Sequence, residues 1–527
     1  MRSRAGLMLE IAIAVVVFAV LGTRVPTVDH FLVNPDHGYQ LAAGAELLRG
    51  RFPGVDVMIN YGPMVAVLSA MTTWATGNLV AEVLWCAAAW GAAVALAAAV
   101  ARRNFGTLAG LATGGFAFLC VARFHKWYMW LLPLAALAVV TGTDRDEASA
   151  RRWAVAGVIA GFGVLLRPEV GLASVVVLAV IAGSDARRGR TVGWRGLALG
   201  FASPVLLWLV VVAVCEGGFG VRRTLGSVPE SIAGSVAYWS KAPPPFRWDA
   251  PFSPPSAHAL ALVLLPATEV FAVLVGAWLC FGRARGFVRE GRTLAASGLM
   301  GLACYPHTVY RADIHHLWQG IWPLALLMPG LVVVGIRLVA AGPQVVPRVA
   351  AIVVTIVAAT TAGLGTWGLA PILRQPHYDL APYGRPPLAG VRGVARGVAA
   401  APEHPYAKLV ASIDTLSSPT DEVLVLVFAP QLLVFSARAA NGPVVTFQRG
   451  LFDSPEWRRE RLTALQRNPP ALVVVPKGFW TLGATDDLRA SVPEIYDFVH
   501  EHYDQIVDQR GNFMLLAPNQ YFRAASP

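Results

Sequence analysis

The sequence predicts a mainly α, polytopic membrane protein that ends in an α/β domain, and three observations support this fold class. Hydrophobic residues make up 55% of the 527 residues and charged residues only 14%, whereas soluble domains carry about 25% charged residues. Apolar runs near the length that crosses a bilayer recur along residues 1–370. From residue 371 onwards the apolar runs become short and alternate with polar, helix-like stretches, which is typical of a soluble α/β domain.

The membrane region, residues 1–370, contains apolar segments joined mostly by short loops, and we expect roughly 11–13 transmembrane helices. Arginine-rich connections recur between the segments, and the positive-inside rule places such connections in the cytoplasm. The basic Met1–Arg4 puts the N-terminus on the cytoplasmic side, and the C-terminal domain is then extracytoplasmic. The segments lie near residues 6–22, 63–77, 79–101, 105–122, 127–142, 153–166, 169–183, 196–215, 258–281, 293–304, 317–338 and 348–370.

Composition also limits the partners and cofactors. The net charge of +11 resides largely in arginines between apolar runs, and no nucleic-acid-binding motif accompanies it, so we expect no nucleic-acid partner. The 5 cysteines lie in or beside apolar segments without metal-type spacing, so neither a disulfide framework nor a metal centre is expected. The N-terminus lacks a small-x-small cleavage pattern before Thr23, which favours a retained first helix in the inner or plasma membrane.

The C-terminal region, residues 371–527, begins with a linker rich in Pro, Gly and Arg and continues as alternating helices and strands. Short β-branched runs predict buried strands, and charged amphipathic stretches predict helices. We expect this domain to lie outside the membrane, because its apolar runs are too short to cross a bilayer. The predicted strands are Glu422–Phe428, Pro443–Phe447, Ala471–Pro476 and Phe513–Ala517, and the predicted helices are Lys408–Leu416 and Glu456–Arg467.

The loop between the first two apolar segments, residues 23–62, is polar and too long for a tight turn. Asn34 followed by Pro35 predicts the start of a surface helix. Asp36 then falls in the first turn, where free backbone N–H groups stabilise a carboxylate. That structural role alone accounts for an acid at this position, and a catalytic base is the alternative. Asp56 likewise fits either a turn or a binding site.

A motif in this loop resembles a known family. The motif comprises Asp36-His37-Gly38-Tyr39, Leu47-Leu48-Arg49-Gly50, Pro53, Asp56 and Gly62-Pro63. Its order resembles the first outer loop of GT-C glycosyltransferases, most closely the family 39-like group of protein O-mannosyltransferases and aminoarabinose transferases. Many members of that group carry Asp-Glu where this chain carries Asp36-His37. Outside the loop the likeness is architectural, since many spans precede one outer domain.

The resemblance implies an enzyme that transfers a hexosyl or pentosyl group from a polyprenyl-phosphate donor to an acceptor hydroxyl. The acceptor would be a glycan, a lipid or a protein at the outer membrane face, and the anomeric centre would be inverted. The resemblance implies Asp36 as the general base that takes the proton of the acceptor hydroxyl. His37, Tyr39, Asp56 and Tyr61 would orient the acceptor or donor. No cofactor is implied, although a divalent metal stays open.

Basic side chains on the predicted outer face are candidates for binding the lipid phosphate, which departs as an anion. Each also has a structural interpretation. Arg311 can pair with Asp313. Arg167 can pair with Glu169, and Lys126 lies in an aromatic interfacial belt. The candidates are Arg311, His315, His316, Arg167, Lys126 and Arg123.

Two other function classes remain open from the residues alone. A multi-span transporter or flippase of lipids or glycans predicts broken helices and paired halves, and the hydropathy of this chain shows no such pairing. A non-enzymatic envelope assembly protein would use the α/β domain as its binding module and would not require Asp36. Replacement of Asp36 therefore separates the enzyme from both alternatives.

Overall fold

The computed structural model shows a helical protein with one C-terminal β-sheet. It describes residues 4–24, 35–59, 61–76, 80–120, 124–141, 150–187, 189, 192–239, 242–250, 253–281, 287–310, 321–340, 406–447, 455–477, 479, 486–503, 505–510 and 513–519. The chain divides into two compact units. The first unit comprises Met1–Val25, Cys86–Leu209 and Ser240–Pro376, and the second comprises Pro26–Trp85, Val210–Trp239 and His377–Pro527. The predicted division near residue 370 stays a prediction.

The described helices of the membrane region follow the predicted apolar segments closely. Runs of Ala, Val, Leu and Gly without charges form continuous helices, because a helix satisfies its own backbone groups in lipid. The helices are α1 Arg4–Arg24, α2 Pro35–Leu48, α3 Pro63–Thr76, α4 Val80–Phe105, α5 Thr107–Leu119, α6 Tyr128–Thr141, α7 Ala150–Leu166, α8 Pro168–Ala186, α9 Trp194–Trp239, α10 Pro254–Phe281, α11 Val288–Tyr310 and α12 Trp322–Ala340.

Four stretches among the described residues are long and apolar enough to cross a membrane, which identifies an integral membrane protein. They are Leu84–Phe105, Pro168–Ala186, Trp194–Ser227 and His258–Cys280. Shorter apolar helices accompany them at Ala5–Leu21, Pro63–Ala75, Thr107–Leu119, Tyr128–Thr141 and Trp322–Leu338. The segment predicted near residues 348–370 lies outside the described residues.

Small residues let helices of the first unit approach closely. A Cβ atom added at Gly157 would lie 2.8 Å from the Phe201 backbone nitrogen, and one added at Gly161 would lie 2.7 Å from Pro204 Cγ. Helices α7 and α9 therefore meet backbone to backbone, as small residues permit in membranes. Arginines that set the predicted topology also join helices, since Arg102 pairs with Glu10 at 2.6 Å.

Helix α9 is longer than the segment predicted at residues 196–215. It continues to Trp239, and Gly217 interrupts its helical geometry with φ 67° and ψ −168°. Glycine adopts this positive φ without a steric penalty. The residues after Glu216, which lie between the apolar segments predicted at 196–215 and 258–281, are helical as far as Trp239. Hydropathy reports membrane crossing and misses a helix that extends beyond the apolar run.

The C-terminal region of the second unit contains a five-stranded mixed sheet with the order β2-β1-β3-β5-β4. Strand β1 is parallel to β2 and β3, whereas β5 is antiparallel to β3 and β4. The strands are β1 Glu422–Val425, β2 Ala439–Ala440, β3 Leu472–Pro476, β4 Gln505–Arg510 and β5 Phe513–Ala517. The associated helices are α13 Ala407–Leu416, α14 Gln431–Phe435, α15 Pro455–Arg467, α16 Asp486–Ser491 and α17 Pro493–His502. The predicted α/β fold is confirmed.

One core of this region joins the sheet to its helices. Leu424, Val473 and Leu516 on three neighbouring strands are fully buried with Leu465 of α15 and Val499 of α17. The β-branched runs recognised in the sequence supply the strand side of this core, because such side chains fill a half-buried pleated surface. Alternate residues of each strand point to opposite faces, so each run serves both sides of the sheet.

The strand predicted at Pro443–Phe447 is wrong, because these residues are buried but have no strand conformation. Their backbone groups bind other partners. The carbonyl of Pro443 accepts the Met58 N–H at 2.8 Å, and the carbonyl of Val444 accepts Arg461 Nη2 at 2.9 Å. Burial lowers the pKa of the Arg461 guanidinium to about 9. An apolar run predicts burial, whereas pairing with a neighbour decides whether it becomes a strand.

Candidate functional site

Helix α2 carries the first part of the motif recognised in residues 23–62 and begins beside Asp36. Asp36 is partly exposed, whereas each residue from His37 to Glu46 is buried. Proline at the first helical position is pre-organised for the helix, and the free N–H groups of the first turn favour an anion at Asp36. The partly exposed acid therefore stands at the start of a helix that is buried from His37 to Glu46 and becomes exposed again at Leu48.

The side chain of His37 holds the start of α2 against the start of α4. His37 is 0% exposed, and its Nε2 atom lies 3.3 Å from Glu82 Oε1. Glu82 also accepts a hydrogen bond from Ser69 Oγ at 3.0 Å and one from Thr72 Oγ1. This network joins α2, α3 and α4. Its polar side chains are shielded from water, so they need hydrogen bonds to one another. The role of His37 in orienting substrate stays a prediction.

Gly38 and Tyr39 connect the motif to the C-terminal sheet region. Helix α14 approaches α2 at Gly38, where an added Cβ would lie 2.8 Å from Gln431 Cβ and 2.9 Å from the Gln431 backbone nitrogen. Tyr39 is 1% exposed, and its hydroxyl donates to the carbonyl of Met58. Met58 in turn donates its N–H to Pro443. Both residues thus position α2 within the second unit, and substrate orientation by Tyr39 stays a prediction.

Replacement of Gly38 by alanine is expected to lower the free energy of opening of α2 by about 1–3 kcal/mol, because the added methyl group overpacks the contact with Gln431. Amide hydrogen exchange of the α2 peptides in detergent measures this opening. Gly115→Ala in α5 is the matched control, since no described heavy atom lies within 4 Å of its added Cβ. Faster exchange in both variants, or in neither, would contradict the prediction.

Asp56 organises the turn that follows α2. Its Oδ2 atom accepts the N–H of Phe52 at 2.7 Å, and Gly54 within the turn has φ 84°. A carboxylate that bonds a nearby backbone N–H stabilises a turn, so the turn interpretation of Asp56 describes its observed contact. Tyr61 is 7% exposed at the end of the loop. Orientation of substrate by either residue stays a prediction.

Sequence reasoning missed an ion pair in this loop. Glu46 is 0% exposed, and its carboxylate lies 2.8 Å from Arg49 Nη1 and 2.6 Å from Arg51 Nη1. The spacing of Glu46 and Arg49 along one helix face was a usable signal for their pairing. No local signal shows that Arg51 and Glu46 also bind the backbone of Ala440, because that contact joins distant parts of the chain.

Two of the predicted phosphate-binding cations belong to the described part of the first unit. Lys126 lies in a short 3₁₀ turn, Phe124–Lys126, and is 3% exposed, so it is enclosed by protein and not extended into solvent. Arg167 is 6% exposed and pairs with Glu169, as the ion-pair interpretation predicts. Four other candidates lie outside the described residues: Arg123, Arg311, His315 and His316.

No protein-family model matches the chain, and no curated protein sequence matches it. The crystal structure of ArnT from Cupriavidus metallidurans bound to undecaprenyl phosphate aligns with a TM-score of 0.53 and 16% identity over 100% of both chains. ArnT in the apo state aligns with a TM-score of 0.49 and 16% identity over 99% of both chains. The Archaeoglobus fulgidus oligosaccharyltransferase complexed with Zn and sulfate aligns with a TM-score of 0.45 and 14% identity, over 97% of this chain and 73% of that chain.

The alignment with undecaprenyl-phosphate-bound ArnT spans both chains completely and shows a shared fold. The other two alignments fall below a TM-score of 0.5 and carry no argument. The shared fold agrees with the architecture that the resemblance of the loop motif predicts. Because a shared fold hosts many functions, the activity has to be argued from the site.

Proposed function

We propose that this chain transfers a sugar from a polyprenyl-phosphate donor to an acceptor hydroxyl at the outer face of the membrane, with inversion. Asp36 is the general base. The observation that carries the proposal is the partial exposure of Asp36 directly before a buried run of α2, from His37 to Glu46. The GT-C fold adds support, since the aligned ArnT structure is bound to undecaprenyl phosphate.

The reaction requires few protein groups. The acceptor oxygen attacks the anomeric carbon as the bond to the lipid phosphate breaks, and Asp36 takes the hydroxyl proton. A positioned base contributes about 10²–10⁴-fold to such a step. The lipid phosphate leaves as an anion, so cations that bind it lower the barrier by stabilising its charge. We assign that role to six residues: Arg123, Lys126, Arg167, Arg311, His315 and His316.

The residues around the acid suit a positioned base. His37 and Tyr39 hold α2 through buried hydrogen bonds, and Asp56 holds the turn that follows it. Rigid support of this kind keeps a reacting group within the narrow range of geometries that catalysis needs. We propose that the accessible parts of this loop contact the acceptor or donor sugar, and that the buried Tyr61 at its end helps to orient that sugar. No cofactor is part of the proposal.

The test reconstitutes the full chain in liposomes with labelled sugar on a polyprenyl phosphate and a panel of glycan, lipid and hydroxyl-peptide acceptors. We expect transfer of label with inversion at the anomeric carbon. The same label supplied on a nucleotide should not transfer. Chelation of divalent cations in a parallel sample tests for a metal requirement.

Two outcomes would contradict the proposal. Movement of the intact donor between leaflets without cleavage of its sugar–phosphate bond would favour a transporter or flippase. Binding of an envelope glycan without either reaction would favour an assembly protein. The proposal also places the N-terminus in the cytoplasm and the C-terminal domain outside, which labelling of single cysteines engineered near residues 2 and 519 would check from either side of the membrane.

A further inference from the structure

The sheet of the C-terminal region ends at a very short edge strand, β2. Strand β2 lies at one edge of the sheet, opposite β4, and contains only Ala439–Ala440. The N–H of Asn441 donates to Val423 on β1 at 3.2 Å. Neighbouring residues of a strand direct their backbone groups to opposite sides, so the N–H and C=O of Ala440 face the open edge. Unpaired groups at such an edge ordinarily need a partner.

Two charged side chains from the first outer loop occupy this edge. Glu46 Oε1 accepts the Ala440 N–H at 3.1 Å, and Arg51 Nη1 donates to the Ala440 carbonyl at 2.8 Å. The other Arg51 nitrogen, Nη2, donates to the Gly442 carbonyl. The Glu46 carboxylate and the Arg51 guanidinium thus take the places of the hydrogen-bonding groups that a further strand would supply. We call Glu46, Arg51 and the backbone of Ala440 the edge clamp.

In the edge clamp the Glu46 carboxylate is buried, the Arg51 guanidinium is partly exposed, and the two charges bond to each other. The side chain of Glu46 is 1% exposed and that of Arg51 is 26% exposed, with 2.6 Å between Glu46 Oε2 and Arg51 Nη1. Arg49 pairs with the other oxygen of Glu46 at 2.8 Å. Hydrogen bonds between charged groups are shorter and stronger than those between neutral groups. A buried carboxylate that loses its partners is strongly unfavourable, so this arrangement holds its geometry tightly.

The edge clamp acts on the helix that begins beside Asp36. Glu46 lies near the C-terminal end of α2, and Gly38 near the opposite end contacts Gln431 of α14. The C-terminal region therefore holds α2 at both ends. A helix is stiff over so short a length, and a misplacement of about 1 Å in a reacting group can lower a rate about 10²-fold.

We propose that Glu46 and Arg51 are positioning residues that fix α2, and with it Asp36, to the edge of the C-terminal sheet. The C-terminal region then serves as a structural part of the reaction site in addition to any contact with acceptor. The kinetic part of this inference rests on the proposed function. The structural part does not, because the edge clamp is a contact between described residues of one unit.

The experiment uses the purified full chain in detergent and compares Glu46→Ala and Arg51→Ala with wild type. Hydrogen exchange of peptides that contain Ala440 measures the edge clamp directly, and we expect at least about 10-fold faster exchange of that amide in both variants. In the transfer assay we expect kcat to fall at least about 10-fold, whereas KM for the donor stays within about twofold. Arg51→Lys should fall between wild type and Arg51→Ala, since one ammonium does not reproduce the planar guanidinium.

Arg247→Ala is the matched control, because Arg247 forms an exposed pair with Asp249 at 2.8 Å. It should leave both exchange and kcat unchanged. Wild-type exchange at Ala440 in Glu46→Ala would overturn the edge clamp. Faster exchange with an unchanged kcat would overturn the positioning role and leave a structural contact only. Absence of transfer by the wild-type chain would contradict the proposed function. The exchange rate at Ala440 would then still show whether Glu46 and Arg51 hold the strand edge.

Discussion

Asp36→Asn is expected to lower kcat for sugar transfer by about 10²–10⁴-fold, the contribution of a positioned general base. Asparagine keeps the size and the capacity to accept hydrogen bonds at the start of α2, but it cannot take the proton of the acceptor hydroxyl. Binding of the donor should change little, because the lost interaction develops only as the proton moves. Steady-state transfer kinetics with the reconstituted full chain measure both quantities.

Asp56→Asn is the comparison within the same loop. Asp56 accepts the Phe52 N–H at 2.7 Å, and an asparagine side-chain oxygen can accept the same hydrogen bond, so we expect a loss below about 10-fold. Hydrogen exchange of α2 should match wild type in Asp36→Asn, which separates lost chemistry from a misfolded helix. Undiminished transfer by Asp36→Asn would remove Asp36 from the mechanism. Equal losses in the two variants would indicate a structural role for the whole loop.

Trp457→Ala is expected to destabilise the C-terminal sheet region by about 3–5 kcal/mol, the range for deleting a buried tryptophan side chain. Trp457 is 2% exposed on α15, and the guanidinium carbon of Arg223 lies 3.8 Å from the centroid of its ring. Arg223 also pairs with Glu460 on the same helix. Loss of the ring therefore removes apolar burial together with a cation–π contact.

Exchange of the β3 amides at residues 472–475 in the full-length protein measures this loss, because central strands exchange through opening of the whole sheet. About 3–5 kcal/mol corresponds to roughly 10²–10⁴-fold faster exchange. Trp248→Ala is the control, since Trp248 is 87% exposed and its removal should change stability by less than about 0.5 kcal/mol. Similar exchange rates in the two variants would contradict the assigned packing of Trp457.

Local sequence signals predicted many of the elements well. The pair Asn34-Pro35 predicted a helix start, and α2 begins at Pro35. The β-branched run at Ala471–Pro476 forms β3 from Leu472 to Pro476, because continuous apolar strands are buried on both faces. Strand β4, Gln505–Arg510, was missed, since its sequence QIVDQR alternates weakly and its pairing with β5 determines its conformation.

The candidate site was predicted less completely than the fold. Asp36 was identified because its helix signals and its motif both lie in a short stretch of sequence. The motif residues His37, Gly38 and Tyr39 are all buried, and their contacts reach α4, α14 and the turn at Met58. Such contacts depend on which elements pack together, so the motif gave no indication of them. Substrate orientation by His37 and Tyr39, which the resemblance implied, stays a prediction.

The sequence by itself determined the membrane class, the start of helix α2 beside Asp36 and the β-branched strands of the C-terminal region. Each of these depends on composition or periodicity over a few turns of chain. The sequence predicted a surface position for α2, whereas the tertiary structure buries this helix from His37 to Glu46. Only the tertiary structure decided that Glu46 and Arg51 bind the strand edge at Ala440, 389 residues beyond Arg51. Two charges near a helix end have the same local pattern whether they face water or a sheet edge. Glu46 and Arg51 bond the backbone of Ala440 because folding places them at the open edge of the sheet, where the buried backbone groups need hydrogen-bond partners.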